Sequence, residues 1–185
     1  MIDVNDLRKG VTFTLDGELF RVISYQHTKP GRGNAVIRTK LRNLRSGSTL
    51  EKTFTSGDRV QDIRLEHQTV QYMYTDGDFY YFMDTRSYEQ FPLSAALLED
   101  AVPYLLENME LELSSYEGEN LDIELPTTVD LRVVEAPIGL AGDTATGASK
   151  EVTLETGLKI HVPLFINEGD VLRIDTRDGK YLTRV

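Results

Sequence analysis

Turn signals recurring at short intervals constrain this chain's fold more than any other feature. Asp16-Gly17, Gly47, Asp76-Gly77, Gly118, Gly169-Asp170 and Asp178-Gly179 interrupt runs rich in Val, Ile, Phe, Tyr and Thr. Such runs read as short strands joined by tight reversals. The fold class is therefore all-β, built from small barrels rather than βαβ units. One stretch stands apart. Between Leu93 and Asn108, the residues Leu97, Leu98, Ala101 and Leu105, continued by Met109, recur at helical spacing. This spacing predicts a helix that Pro103 breaks into two short pieces, because proline has no N–H for the helical ladder.

With 185 residues, the chain has room for one large domain or two to three small ones. Boundaries are expected near Arg64-Leu65 and Pro126-Thr127, giving domains 1–64, 65–126 and 127–185. A piece of about 60 residues holds only a marginal core, so packing between pieces is expected to contribute to stability.

Charge supports the same division. The net charge of −10 at pH 7 disfavours phosphate binding when taken as an average. By block, residues 1–64 carry 12 basic and 7 acidic side chains, whereas residues 65–126 carry 14 acids and a single base, Arg86. Residues 127–185 carry 7 bases and 9 acids. A chain polarised in this way is expected to meet different partners with different parts.

Several function classes are disfavoured. The chain has no cysteine, which removes disulfides, zinc-thiolate sites and thiol nucleophiles. His27, His67 and His161 are scattered without metal-ligand spacing, so no metal is expected. No cofactor motif is present, and acidic pairs such as Glu110/Glu112 carry little weight among so many acids. No apolar run approaches the roughly 18 residues of a membrane span, and Met1-Ile2-Asp3 does not open a secretory signal. A cytoplasmic, non-enzymatic, monomeric protein without membrane contact is the expectation.

The cationic part has a focus. From Leu19 to Leu50 there are seven basic residues and no acidic one. Alternation along a strand places Arg38, Lys40 and Arg42 on one face and Ile37, Thr39 and Leu41 on the other. The first set is expected to contact RNA backbone and the second to enter a core. Before this strand lies Lys29-Pro30-Gly31-Arg32-Gly33-Asn34. Pro30 favours a turn, and Gly31 and Gly33 are expected to supply positive φ. Arg32, between two glycines, is expected to project outward, where a guanidinium suits phosphate.

These residues resemble those of a known family. The tip Lys29-Pro30-Gly31-Arg32-Gly33-Asn34-Ala35, with the basic strand and Glu51-Lys52-Thr53-Phe54, resembles the N-terminal domain of bacterial elongation factor P. Gly157-Leu158-Lys159-Ile160-His161-Val162-Pro163-Leu164-Phe165, then Gly169, is similar to that family's C-terminal signature. Gly142-Asp143-Thr144, Asp175-Thr176-Arg177, Tyr181 and Arg184 add to the resemblance, which spans nearly the whole chain. It implies three β-barrels: an SH3-like (KOW-type) barrel followed by two OB-folds, in an L-shaped arrangement.

The resemblance also implies partners and roles. The family binds the ribosome between the peptidyl-tRNA and exit sites and relieves stalling at consecutive prolines. It places Arg32 at the acceptor end of peptidyl-tRNA near the peptidyl-transferase centre. It places Gly142, Asp143 and Thr144 by the exit-site codon of the mRNA, and Tyr181 and Arg184 on the small-subunit side. Ribosomal RNA and the L1 stalk protein are further implied partners. Many members carry a modified lysine at the tip, whereas Arg32 has no amine to extend. Some arginine-tip members are rhamnosylated on a Ser-Gly-Arg-Asn tip, so bare and modified states both stand open. Two alternatives are an elongation factor P-like paralogue and a generic single-stranded RNA-binding module. The acidic middle block reads either as solubilising surface or as a face toward a basic protein. Tyr72, Tyr74, Tyr80, Tyr81 and Phe82 lack neighbouring cations and are assigned to cores and strand surfaces.

Overall fold

The computed structural model describes residues 1–138 and 148–185. The described chain is almost wholly β, as the turn spacing predicts, and forms three antiparallel sheets in chain order. The first contains β1 (Ile2–Asp3), β2 (Thr12–Leu15), β3 (Glu18–Thr28), β4 (Val36–Asn43), β5 (Thr49–Thr55) and β6 (Arg59–Asp62), in the order β1-β6-β2-β3-β4-β5. The second contains β7 (Glu66–Thr75), β8 (Phe79–Asp84), β9 (Gln90–Ser94), β10 (Glu110–Tyr116) and β11 (Glu119–Glu124), in the order β11-β10-β7-β8-β9. The third contains β12 (Thr128–Glu135), β13 (Ser149–Leu154), β14 (Lys159–Pro163), β15 (Val171–Asp175) and β16 (Lys180–Arg184), in the order β14-β13-β12-β15-β16.

Each sheet curls around its own apolar cluster. Val4, Leu7, Phe13, Ile37, Leu41 and Phe54 fill the first, with the Phe13 and Phe54 rings edge to face at 6.2 Å. Val70, Tyr72, Phe82, Leu111 and Leu113 fill the second, and Leu131, Leu154, Ile166 and Leu172 the third. Period-two alternation produces these cores. In β4, Ile37, Thr39 and Leu41 are buried while Arg38 and Lys40 are exposed. A bulge between Tyr72 and Tyr74 inserts one residue and so reverses the facing of the strand beyond it. Tyr72 and its partner Phe82 therefore point inward, whereas Tyr74 and its partner Tyr81 stack outside at 4.6 Å. Core and strand surface share these aromatics, as expected.

The helix expected from Leu93 to Asn108 does not form. Leu93 and Ser94 finish β9, and only Val102–Tyr104 makes a 3₁₀ turn. The intervening N–H groups reach back mostly three residues, as in Leu98 to Ala95 and Ala101 to Leu98. Pro103 gives no N–H and disfavours the α conformation at Val102, so the ladder cannot propagate. The apolar spacing serves two cores instead of one helix face. Leu98, Ala101 and Leu105 enter the second barrel, while Tyr104 enters the third.

The sheets are joined by packed seams. Leu19 and Leu44 of the first barrel bury against Leu121 of the second, with Ile63, Leu65 and Tyr116 around them. Arg45 Nε donates to Glu119 at 3.0 Å while its Nη1 donates to the Gly17 carbonyl at 2.8 Å. Between the second and third barrels, the Thr176 hydroxyl donates to the Pro126 carbonyl at 2.6 Å. Asp175 nearby accepts three hydrogen bonds from the Arg177 guanidinium and one from its backbone N–H. These bonds and the guanidinium charge hold the Asp175 carboxyl down at about 2.

Candidate nucleic-acid interface

The longest strand, β3, pairs with β4 from Phe20↔Asn43 out to Thr28↔Val36, and these two strands form a projecting hairpin. Seven residues, 29–35, connect them, and Lys29 through Asn34 are all exposed. Gly33 takes φ +112, which a side chain would strain, and this explains a glycine there. Gly31 does not share this conformation, so one glycine of the two expected provides the positive φ. A Cβ on either would meet nothing within 4 Å. The tip is thus shaped by its turn and not by packing, and Arg32 between the two glycines is exposed.

Below the tip the cations divide into two groups. Arg38 and Lys40 stand on the outer face of β4, where they face Gln26 and Ser24 across β3 and Thr53 and Glu51 across β5. Among the described residues, Lys29, Arg32, Arg38 and Lys40 are in no ion pair. Arg42 shares their face but is engaged elsewhere. Its Nη1 donates to Asp100 at 2.9 Å and its Nη2 to the Leu97 carbonyl at 2.9 Å, both in the second barrel.

Arg21 behaves like Arg42. Its guanidinium lies 3.8 Å from Asp122 and 3.6 Å from Glu124 of the acidic barrel. Burial raises the Asp122 carboxyl above its usual range, against the pull of Arg42 and Arg21. Part of the acidic block thus neutralises the base of the basic hairpin. The sequence grouped Arg38, Lys40 and Arg42 by strand facing, but facing carries no information about a second domain.

The sequence reading also missed two aromatic pairings. The Arg8 guanidinium lies over the exposed ring of Tyr25 at 5.2 Å, and Lys52 Nζ lies 5.8 Å from the Phe54 ring centre. Arg8 and Tyr25 are far apart in sequence, so no local motif announces them. A shallow groove lined by Tyr25, Arg38, Lys40 and Lys52 runs along this end of the sheet.

Tyr181 and Arg184 lie on β16. Tyr181 is half-buried against the third core, while Arg184 sits 3.6 Å from Asp170 and over the exposed Phe165 ring at 5.6 Å. Gly142, Asp143 and Thr144 lie outside the described residues. Among the described residues no cluster of three or more His, Cys, Asp or Glu is placed to hold a metal. No described helix is long and apolar enough to cross a membrane.

Three β-domains in series, the first carrying a long cationic hairpin, define a KOW-like barrel joined to OB-folds. Family models match all three: the elongation factor P KOW-like domain over residues 3–60, its OB domain over 65–123, and the elongation factor P C-terminal domain over 129–184. The chain is also 50% identical over 184 residues to Elongation factor P of Moorella thermoacetica, covering 100% of each. This chain belongs to the elongation factor P family of translation elongation factors. Among solved structures, Eukaryotic translation initiation factor 5A from Methanococcus jannaschii shares the fold at TM-score 0.52 and 21% identity, over 66% of this chain and 90% of that one.

Proposed function

We propose that the protein binds the ribosome between the peptidyl-tRNA and exit sites and stimulates peptide-bond formation at consecutive prolines. The observation carrying this reading is the exposed tip, where Arg32 and Lys29 crown a hairpin whose outer cations, Arg38 and Lys40, are in no ion pair among the described residues. Arg32 approaches the acceptor end of the peptidyl-tRNA. Lys29, Pro30, Gly31, Gly33 and Asn34 shape the approach, and Arg38 and Lys40 meet RNA backbone. Arg42 is assigned instead to holding the first barrel on the second.

The remaining roles follow family membership. Gly142, Asp143 and Thr144 approach the exit-site codon, and Tyr181 and Arg184 face the small subunit. The acidic second barrel keeps its surface solvated and repels RNA, with a face toward a basic protein of the L1 stalk as the alternative. The units are residues 1–64, 65–126 and 127–185 in an L-shaped arrangement, acting in the cytoplasm as a monomer. No chemical step belongs to the protein. Fixing the peptidyl-tRNA restores proximity and orientation, which in favourable systems lowers a barrier by up to about 7–11 kcal/mol.

A poly-proline reporter translated with and without the factor tests the reading. Arg32→Ala is expected to lose most of the rescue while keeping the thermal midpoint of the parent. Full rescue by that variant overturns the assignment. Intact mass of protein from its host separates a bare Arg32 from a modified one.

A further inference from the structure

We propose that the Arg8–Tyr25 pair is a stacking site for an unpaired nucleobase of RNA. The proposal rests on the reading of the first barrel as the RNA-facing part and names one contact within it.

The bulge after Val22 sets the geometry. It brings Tyr25 opposite Thr39 and His27 opposite Ile37, so both project to the side on which Thr39 and Ile37 are buried. Yet Tyr25 stays 42% exposed and His27 is exposed too. The ring belongs to no buried cluster, so core packing does not account for it. Arg8 holds its position over the ring through two hydrogen bonds from Nη1, to the Asn5 carbonyl at 2.8 Å and the Leu7 carbonyl at 2.7 Å. Nε and Nη2 have no acceptor among the described residues. A planar cation fixed over an aromatic ring is pre-ordered for stacking, with two donors left for a phosphate or a base edge.

The surroundings select the ligand. Lys52 lies in the same cross-strand row as Tyr25 and Thr39 and so stands on the ring's side of the sheet, whereas Arg38, Lys40 and Glu51 belong to the other face. Two cations, Arg8 and Lys52, on the side of an exposed ring are the pairing of charge and aromatic that single-stranded nucleic acid uses. A neutral or basic peptide would leave the cations unanswered. The β3 strand places Tyr25 three residues below Thr28, about 10 Å from the root of the tip loop. One RNA chain can therefore meet both the stacking site and the tip.

The test uses the full chain and two labelled RNA hairpins, one with a four-nucleotide single-stranded 3′ end and one blunt, by fluorescence anisotropy at low salt. The parent is expected to prefer the overhang. Tyr25→Ala and Tyr25→Leu should each weaken overhang binding by about tenfold and leave the blunt hairpin unchanged, whereas Tyr25→Phe keeps the preference. The leucine variant retains apolar bulk and carries the test should alanine impair folding. Equal binding of both hairpins by the parent, or an overhang preference that survives Tyr25→Leu, overturns the proposal. The reporter assay stands apart: no rescue by the parent with a Tyr25-dependent preference leaves the stacking site standing and removes the translation reading, and rescue by the parent without that preference removes the stacking site alone.

Discussion

Gly47 approaches the Ala96 backbone so closely that a Cβ on the glycine would lie 2.9 Å from the Ala96 carbonyl oxygen. Gly47 also takes φ +74. Two independent constraints thus meet in the β4–β5 turn, one from its own backbone and one from the second barrel.

Gly47→Ala should therefore destabilise by about 1–3 kcal/mol through strain alone, and further through separation of the barrels. Gly17, at φ +82 with open space where a Cβ would go, isolates the first part. Urea unfolding of both variants is the measurement. A Gly47→Ala loss no larger than that of Gly17→Ala would remove the contact with Ala96 from the account.

The two groups of hairpin cations should respond oppositely to alanine. Arg42→Ala removes bonds to Asp100 and Leu97 and should cost about 1 kcal/mol of stability, discounted because Asp100 is well exposed. Arg38→Ala should leave stability unchanged and reduce the salt slope of single-stranded RNA binding by about 0.7. Thermal melts and a salt titration on each variant check the division.

Acid stability should report the Asp175–Arg177 pair. The folded carboxyl sits at about 2, below its unfolded value, so its contribution is present above the ordinary aspartate range. It is lost as pH falls from near 4 through about 2. Asp175→Asn should be less stable than the parent at neutral pH and converge with it in strong acid. Denaturant midpoints between pH 2 and pH 7 measure the convergence, and parallel curves would contradict it.

Tyr104 joins two barrels through one side chain. It leaves the 3₁₀ turn of the second and packs among Val129, Leu131 and Ile174 of the third. Tyr104→Ala should cost about 3 kcal/mol and uncouple the third barrel, so that calorimetry shows two transitions. One unbroken transition at the parent's midpoint would argue against this coupling.

The strands and their facing were legible because period two and turn chemistry are local. The run from Leu93 to Asn108 was not, because its apolar spacing answers to two separate cores while Pro103 decides the backbone. Charge was legible as a block asymmetry, and the hairpin tip as a motif. What the sequence could not reveal was which cations are already engaged. Arg42 and Arg38 look alike along β4, and only the position of Asp100 and Leu97 separates them. Arg8 and Tyr25 were missed for the same reason: their pairing exists only once the barrel closes.

The length of β3 adds a mechanical demand. Its 11 residues run from the seam at Leu19 to the tip loop, a reach of about 35 Å. A rotation of about 5° at the base would carry the tip through about 3 Å, enough to take a guanidinium out of hydrogen-bonding range. The seam at Leu19, Arg42 and Gly47 therefore acts as the pivot of a lever, and its stiffness sets the aim of Arg32.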